Sequence, residues 1–272
     1  MSGRGSTSPL THGAVCLVTG ANRGIGLAIA RALAERPVRL LVGVRDPGRE
    51  VDIPVPPGGA VDVRRVRIDL VSAEAIEESC AALGEDLGRI DVLVNNAGLY
   101  TAGLLEEQSV ADVYAMFQAN LVGLVHLTMR VLPGMLSRGR GLVVDNASIS
   151  AYAHLPTAST YAATKAGVAA FTTALHREVR GTGVRTLTLV TPAVATEMLG
   201  EVDQTSGRFV DTSRWTRISP EEWAARVVRS IEHGDRLLEG TRQTRVLRLL
   251  TRAPLGVVDA VSNRMFHRAP RA

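Results

Sequence analysis

The chain has 272 residues, of which 46% are hydrophobic and 21% charged, and it carries a formal charge of +4. This usage excludes a disordered chain and suits one large α/β domain, since no long polar linker divides it. The arginines are scattered without stacking aromatics, no apolar stretch approaches 18 uninterrupted residues, and the N-terminus MSGRGSTSPLTHG lacks an apolar signal core, so nucleic-acid binding is not expected and a cytoplasmic location is.

The first predicted element is a strand over Ala14 to Thr19, AVCLVT. Glycines at 20, 24 and 26 follow it, and then LAIARALAER with helical periodicity. A glycine turn between strand and helix lets the backbone approach a pyrophosphate while the helix N-terminus offers unpaired N–H groups. The second strand, Arg39 to Val44, ends at Arg45. An acidic residue there would suit a ribose 2′-hydroxyl; Arg45, with Arg23 in the glycine turn, suits a 2′-phosphate. The charge pattern therefore points to NADP(H) as the preferred cofactor, with NAD(H) as the alternative should Asp46 take the hydroxyl. Between the second and third strands, residues 46–62 carry four prolines and a Gly-Gly pair, so the crossover helix should be short or absent.

Further strands are predicted at Val63 to Ile68, Ile90 to Val94, Gly141 to Val144 and Val184 to Val190, mostly separated by helical patterns. Alternation of this kind implies a doubly wound parallel sheet, a Rossmann fold of three layers. Cys16 falls in a strand and Cys80 in a helix, neither with metal-ligand spacing, so both read as reduced thiols and no metal is expected.

Tyr161 and Lys165 lie one helical turn apart, and Lys165 is the one lysine among 31 Lys and Arg residues. A phenol titrates near 10, so it needs help to exchange protons at neutral pH; lowering it about three units takes roughly 4 kcal/mol of differential interaction. A compact ammonium on the same helical face could supply much of that, whereas the planar fork of arginine is a poor substitute.

Taken together the motifs resemble the short-chain dehydrogenase/reductase family in its single-domain form, over roughly residues 14 to 235. Thr19-Gly20-Ala21-Asn22-Arg23-Gly24-Ile25-Gly26 is similar to the family's cofactor turn, Asn95-Asn96-Ala97-Gly98 to the tetrapeptide after the fourth strand, and Tyr161 to Lys165 to its YxxxK. Within the family the TGANRGIG and VRD segments look most like NADPH-dependent carbonyl reductases. The resemblance implies cofactor contacts from Gly20, Asn22, Arg23, Gly24, Ile25, Gly26, Arg45, Asp69, Leu70, Asn96, Ala97, Gly98, Val194 and Thr196, together with Tyr161 and Lys165. It also implies four catalytic residues. Tyr161 is the acid and base, Ser148 bonds the substrate oxygen, Lys165 lowers the phenol pKa and holds the ribose, and Asn120 positions a water that links Lys165 to solvent. One departure stands out. Where the family usually has Pro-Gly-x-Val-x-Thr after the sixth strand, this chain has Thr191-Pro192-Ala193-Val194-Ala195-Thr196, so the path of the loop should differ.

The segment 197–218 should choose the substrate, with Tyr100, Tyr152, His154 and Leu155. Met198, Leu199, Phe209 and Trp215 would form an apolar wall, and Arg208, Arg214 and Arg217 would either meet an acidic group or face water. Ser219-Pro220-Glu221-Glu222 signals a capped helix. The division expected is a flexible N-terminus over 1–13, the oxidoreductase domain over 14–240 and a basic amphipathic extension over 241–272. That extension packs across the substrate end or a second subunit, or else docks on a membrane surface; the first is preferred. Helices around Leu121 to Leu136 and Tyr161 to Val179 resemble the family's dimer-forming pair and imply a homodimer or homotetramer. The reading is an NADP(H)-dependent oxidoreductase of a lipophilic ketone or secondary alcohol, a small molecule. Its alternatives are an NAD-dependent alcohol dehydrogenase and a catalytically silent nucleotide-binding regulator.

Overall fold

The computed structural model describes residues 8–213 and 215–250. Six parallel strands, β1 (Val15–Thr19), β2 (Arg39–Val44), β3 (Asp62–Arg67), β4 (Ile90–Asn95), β5 (Gly141–Asn146) and β6 (Val184–Val190), match the expected ones to within a residue or two at each end. A two-stranded pair, β7 (Ala193–Val194) and β8 (Arg217–Ile218), lies apart from the main sheet, and β9 (Leu237–Glu239) adds a seventh strand to it. The sheet order is β3-β2-β1-β4-β5-β6-β9, all parallel. The strand order reverses between β1 and β4, and open α/β sheets bind their ligands beyond the C-terminal ends of strands at such a point.

Helices α1 (Gly24–Ala34), α2 (Ala73–Leu83), α3 (Val110–Phe117), α4 (Gly123–Ser137), α5 (Ser159–Glu178), α6 (Glu197–Thr205), α7 (Pro220–His233) and α8 (Arg242–Leu250) complete the chain. Helices α1 and α7 bury their apolar stripes on one sheet face with Trp223 and Ile231, while α2, α4 and α5 cover the other with Ile76, Leu127 and Leu175. The central strands are buried from both sides and accordingly read as continuous Val and Leu runs. Edge strand β3 instead carries three exposed arginines, a charge pattern that discourages pairing with another chain. No helix occurs between β2 and β3, as its prolines require. Ser219 caps α7 by accepting the Glu222 N–H at 3.0 Å, but the Glu222 carboxylate pairs with Arg226.

Helices α3 and α4 are joined by a π turn over Gln118–Val122, so that Val110–Ser137 runs as one helical stretch. Among the described residues it is the one helix long and apolar enough to cross a membrane by length and composition, with a third of that window buried in the fold.

Candidate active site

The glycine turn is shaped by what a side chain would strike. Gly20 has φ of +63°, and a Cβ on it would lie 2.8 Å from the Cα of Ala97; on Gly26 it would lie 2.2 Å from the Gly20 carbonyl oxygen. The turn is thus pressed against the end of β4. Thr19 fixes that contact, since its hydroxyl accepts the N–H groups of Asn96 and Ala97, each at 3.0 Å, and donates to the Val94 carbonyl. No acidic residue occupies the first turn of α1, and its cap, Arg23, makes no side-chain capping bond. Those first N–H groups face a cleft of about 1760 Å³ that runs along the C-terminal ends of the strands.

Of the catalytic and cofactor residues expected at the site, all line this cleft except Asn120. Gly20, Asn22, Arg23, Gly24, Ile25 and Gly26 form one end, with Arg45, Asp69 and Leu70 beside them; Asn96, Ala97, Gly98, Val194 and Thr196 form the middle; Ser148, Tyr161, Lys165, Tyr100, His154 and Met198 gather at the far end. Arg49, which sequence reasoning passed over, joins Arg45. Asp46 does not line the cleft, because its carboxylate is turned to the Gly48 N–H at 2.9 Å. The anion-binding end therefore presents three guanidinium groups. A cradle that only glycine fits, an open helix N-terminus and this positive rim together fit a dinucleotide with a 2′-phosphate.

Tyr161 sits in the first turn of α5 and Lys165 one turn later; Lys165 is buried, as is Ser148 after β5, and Tyr161 is half-buried at the cleft. Burial pushes the Tyr161 phenol pKa up, and this outweighs the lowering by the Ser148 hydroxyl beside it. The expectation that Lys165 lowers this pKa is not met in this geometry. The Lys165 Nζ lies 5.8 Å from the Tyr161 ring centroid and donates instead to the Asn146 carbonyl at 2.8 Å. Burial brings Lys165 down to about 8, opposed by Asp145, whose own carboxyl burial raises to about 6 against hydrogen bonds from Asn95 and Thr172. Asn146 lines the cleft and Asp145 acts on Lys165 from the core; sequence reasoning missed both, and their polar side chains on a buried central strand were the available signal.

Asn120 is fully buried in the π turn. Its side chain accepts the Leu99 N–H at 2.7 Å and donates to the Leu99 carbonyl at 2.9 Å, with Thr164 as a further partner. The amide thus ties the loop after β4 to the helices, where a water-holding role was expected for it.

The loop after β6 departs from the usual sequence and is stabilised by its own residues. Thr191, in place of proline, donates its hydroxyl to Asn146 Oδ1 at 2.5 Å, and Asn146 Nδ2 donates to Asn96 Oδ1 at 3.0 Å. Pro192 packs against Gly240, where a Cβ would lie 2.3 Å from its ring. Val194 and Thr196 still reach the cleft.

At the substrate end, Met198, Leu199 and Trp215 line the cleft as expected, with Tyr152 and Leu155. Phe209 does not: it is buried away from the cleft, beneath the Arg208 guanidinium. Arg217 makes a two-point ion pair with Asp203 at 2.9 and 3.0 Å, and neither it nor Arg208 lines the cleft, while Arg214 lies outside the described residues. Gln243, Thr244 and Leu247 of α8 close this end, so the described part of the C-terminal extension packs across the substrate side; residues 251–272 lie outside the described residues.

The model of the family described as short chain dehydrogenase matches residues 14–207. An oxidoreductase of Staphylococcus saprophyticus is 33% identical over 199 residues, covering 72% of this chain and 85% of its own. The 3-oxoacyl-(acyl-carrier-protein) reductase of Vibrio cholerae is 32% identical over 188 residues, 69% of this chain and 76% of its own. The alcohol dehydrogenase of the archaeon Thermococcus sibiricus, complexed with 5-hydroxy-NADP, superposes with a TM-score of 0.68 at 27% identity, over 83% of this chain and 94% of that one.

Proposed function

The chain belongs to the short-chain dehydrogenase family, and we propose that it is an NADP(H)-dependent oxidoreductase acting on a lipophilic ketone or secondary alcohol, with Tyr161 as acid and base. The observation that carries this reading is one cleft in which the glycine turn and its arginines share a wall with Ser148, Tyr161 and Lys165. When bound, the nicotinamide supplies or accepts the hydride. The protein's own residues hold and move the proton. Burial keeps the Tyr161 phenol protonated, which is the form needed to donate a proton to a developing alkoxide, and Ser148 is within reach to bond the same oxygen. In oxidation the phenol must first give up that proton, so oxidation should gain from alkaline conditions. Lys165, held at the Asn146 carbonyl and lining the cleft, would bond the ribose hydroxyls of a bound cofactor.

The substrate end supports a neutral, apolar substrate. Leu155, Met198, Leu199, Val202, Trp215 and Leu247 give its walls an apolar share beside the polar Tyr100, His154, Asp211 and Gln243, and the arginines of the 197–218 segment that the structure describes point elsewhere. Assembly through the 110–137 helical stretch fits a homodimer or homotetramer, since Val110, Tyr114, Val122 and Met129 leave large apolar surfaces exposed along it.

Fluorescence titration with NADPH and NADH, followed by loss of 340 nm absorbance against a panel of ketones, tests the reading. Tight NADPH binding with Tyr161-dependent turnover is expected. NADH preference would favour the NAD-dependent alcohol dehydrogenase, and tight binding with no turnover of any ketone or alcohol would favour the silent regulator.

A further inference from the structure

We propose that the hydroxyls of Tyr100, Thr157 and Ser206 form a clasp that fixes the substrate-facing segment 197–209 against Tyr161, which makes the three residues positioning residues for turnover. The inference rests on the oxidoreductase reading above. The three come from distant parts of the chain: the loop after β4, the loop before α5, and the turn that follows α6. Thr157 donates to Ser206 Oγ at 2.9 Å, and the Ser206 hydroxyl lies 3.1 Å from the Tyr100 hydroxyl. Ser206 is 2% exposed and Thr157 6%, so the bond between them is well shielded, while Tyr100 reaches it from the half-buried wall of the cleft.

Two further observations give the clasp a direction. Thr157 has φ of +71°, and among the described residues it is the one non-glycine with positive φ. A β-branched residue in the left-handed region is strained and persists only where its surroundings hold it. Here the Thr157 carbonyl accepts the Gly103 N–H at 2.8 Å, and Thr160 donates to Gln108 at 2.7 Å, so the loops carrying Tyr100 and Thr157 are bound to each other beneath the clasp. On its other side Tyr100 sets its ring edge-on to Tyr161, with centroids 5.0 Å apart and planes at 70°. Displacing Tyr100 therefore displaces the packing of Tyr161. Displacing Ser206 frees the end of α6, whose Met198, Leu199 and Val202 line the substrate end.

The test uses the full chain and four variants: Tyr100→Phe, Ser206→Ala, Thr157→Val and Thr157→Ser. Removing a buried hydrogen bond of ordinary strength is worth about tenfold, so Tyr100→Phe and Ser206→Ala should each raise KM for the ketone about tenfold. NADPH affinity should stay within about twofold, because the clasp touches no part of the anion end. Thr157→Val should behave like Ser206→Ala, and Thr157→Ser should restore wild-type kinetics. Hydrogen exchange of residues 197–209 should quicken in the three hydroxyl-deleting variants by more than in the central strands, beyond what any fall in melting temperature accounts for. Unchanged exchange in that segment overturns the clasp whatever the kinetics. Faster exchange with unaltered KM leaves a structural tie and overturns the positioning role. Absence of Tyr161-dependent turnover in the wild type would overturn the oxidoreductase reading instead, and the positioning role with it.

Discussion

A phenol raised by burial and a lysine lowered by it define the chemistry at the scale of single residues. Tyr161→Phe removes only the oxygen, so the fold and the cleft should persist while general acid catalysis is lost. The expected result is a kcat about 10²- to 10⁴-fold lower with NADPH affinity little changed, measured by steady-state kinetics beside a binding titration. The positive rim makes a separate prediction. Arg45 has no ion-pair partner among the described residues and lines the anion end with Arg49, whereas Arg23 is paired at 2.6 Å with Glu197. Charge-assisted hydrogen bonds contribute about 1.5–3 kcal/mol, so Arg45→Ala should weaken NADPH binding roughly 10- to 100-fold and leave NADH nearly untouched. Equal losses for both cofactors would place Arg45 away from the 2′-phosphate. Sequence spacing was enough to bring Tyr161 and Lys165 to one cleft, but it could not supply the electrostatics. Whether a lysine lowers a phenol four residues away depends on where its Nζ is tied, and here it is tied to the Asn146 carbonyl.

Elements are where close backbone approach decides the outcome. The Gly26→Ala methyl would sit 2.2 Å from the Gly20 carbonyl and 2.4 Å from the Asn96 amide, atoms anchored through β1 and β4. Such overpacking costs about 1–3 kcal/mol, so the variant should melt several degrees lower and lose NADPH binding, as thermal denaturation and titration would report. An unaltered melting temperature would mean that the turn can open without cost. The same elements show what was legible beforehand. Continuous apolar runs made β1, β2, β4, β5 and β6 readable, and four prolines made the missing crossover helix readable. The short β9 was not legible, because its three residues join the sheet only through pairing with β6, a tertiary event without a local pattern. Phe209 was misplaced for a related reason, and the choice left open for Arg217 was settled the same way. Composition showed an apolar and basic segment, but the Asp203 pair and the burial of Phe209 fix which side chains face the cleft.

For the whole molecule, the buried Asp145 and Lys165 set how stability varies with pH. Burial is the larger cause of both shifts: Asp145 moves from 3.8 up to about 6, and Lys165 from 10.5 down to about 8. A raised carboxyl contributes stability that is fully present below about pH 3.8 and is lost as pH rises through about 6. A lowered lysine contributes stability that is fully present above about pH 10.5 and is lost as pH falls through about 8. Between about 6 and 8 both groups are charged and neither contribution remains, so the site is held at some expense in the range where it would work. Asp145→Asn isolates the first limb. The amide can accept from Asn95, and Thr172 retains the Val168 carbonyl for its hydroxyl proton at 2.8 Å, so the substitution fits the hydrogen bonds already present. Denaturant unfolding at a series of pH values should show the variant gaining on the wild type as pH rises from 4 to 7, by an amount on the order of 1 kcal/mol or more. The lost attraction for Lys165 works in the opposite direction, but it is the smaller influence on both groups. Parallel stability profiles would mean that Asp145 stays ionised throughout, and the desolvation argument for the pair would then fail.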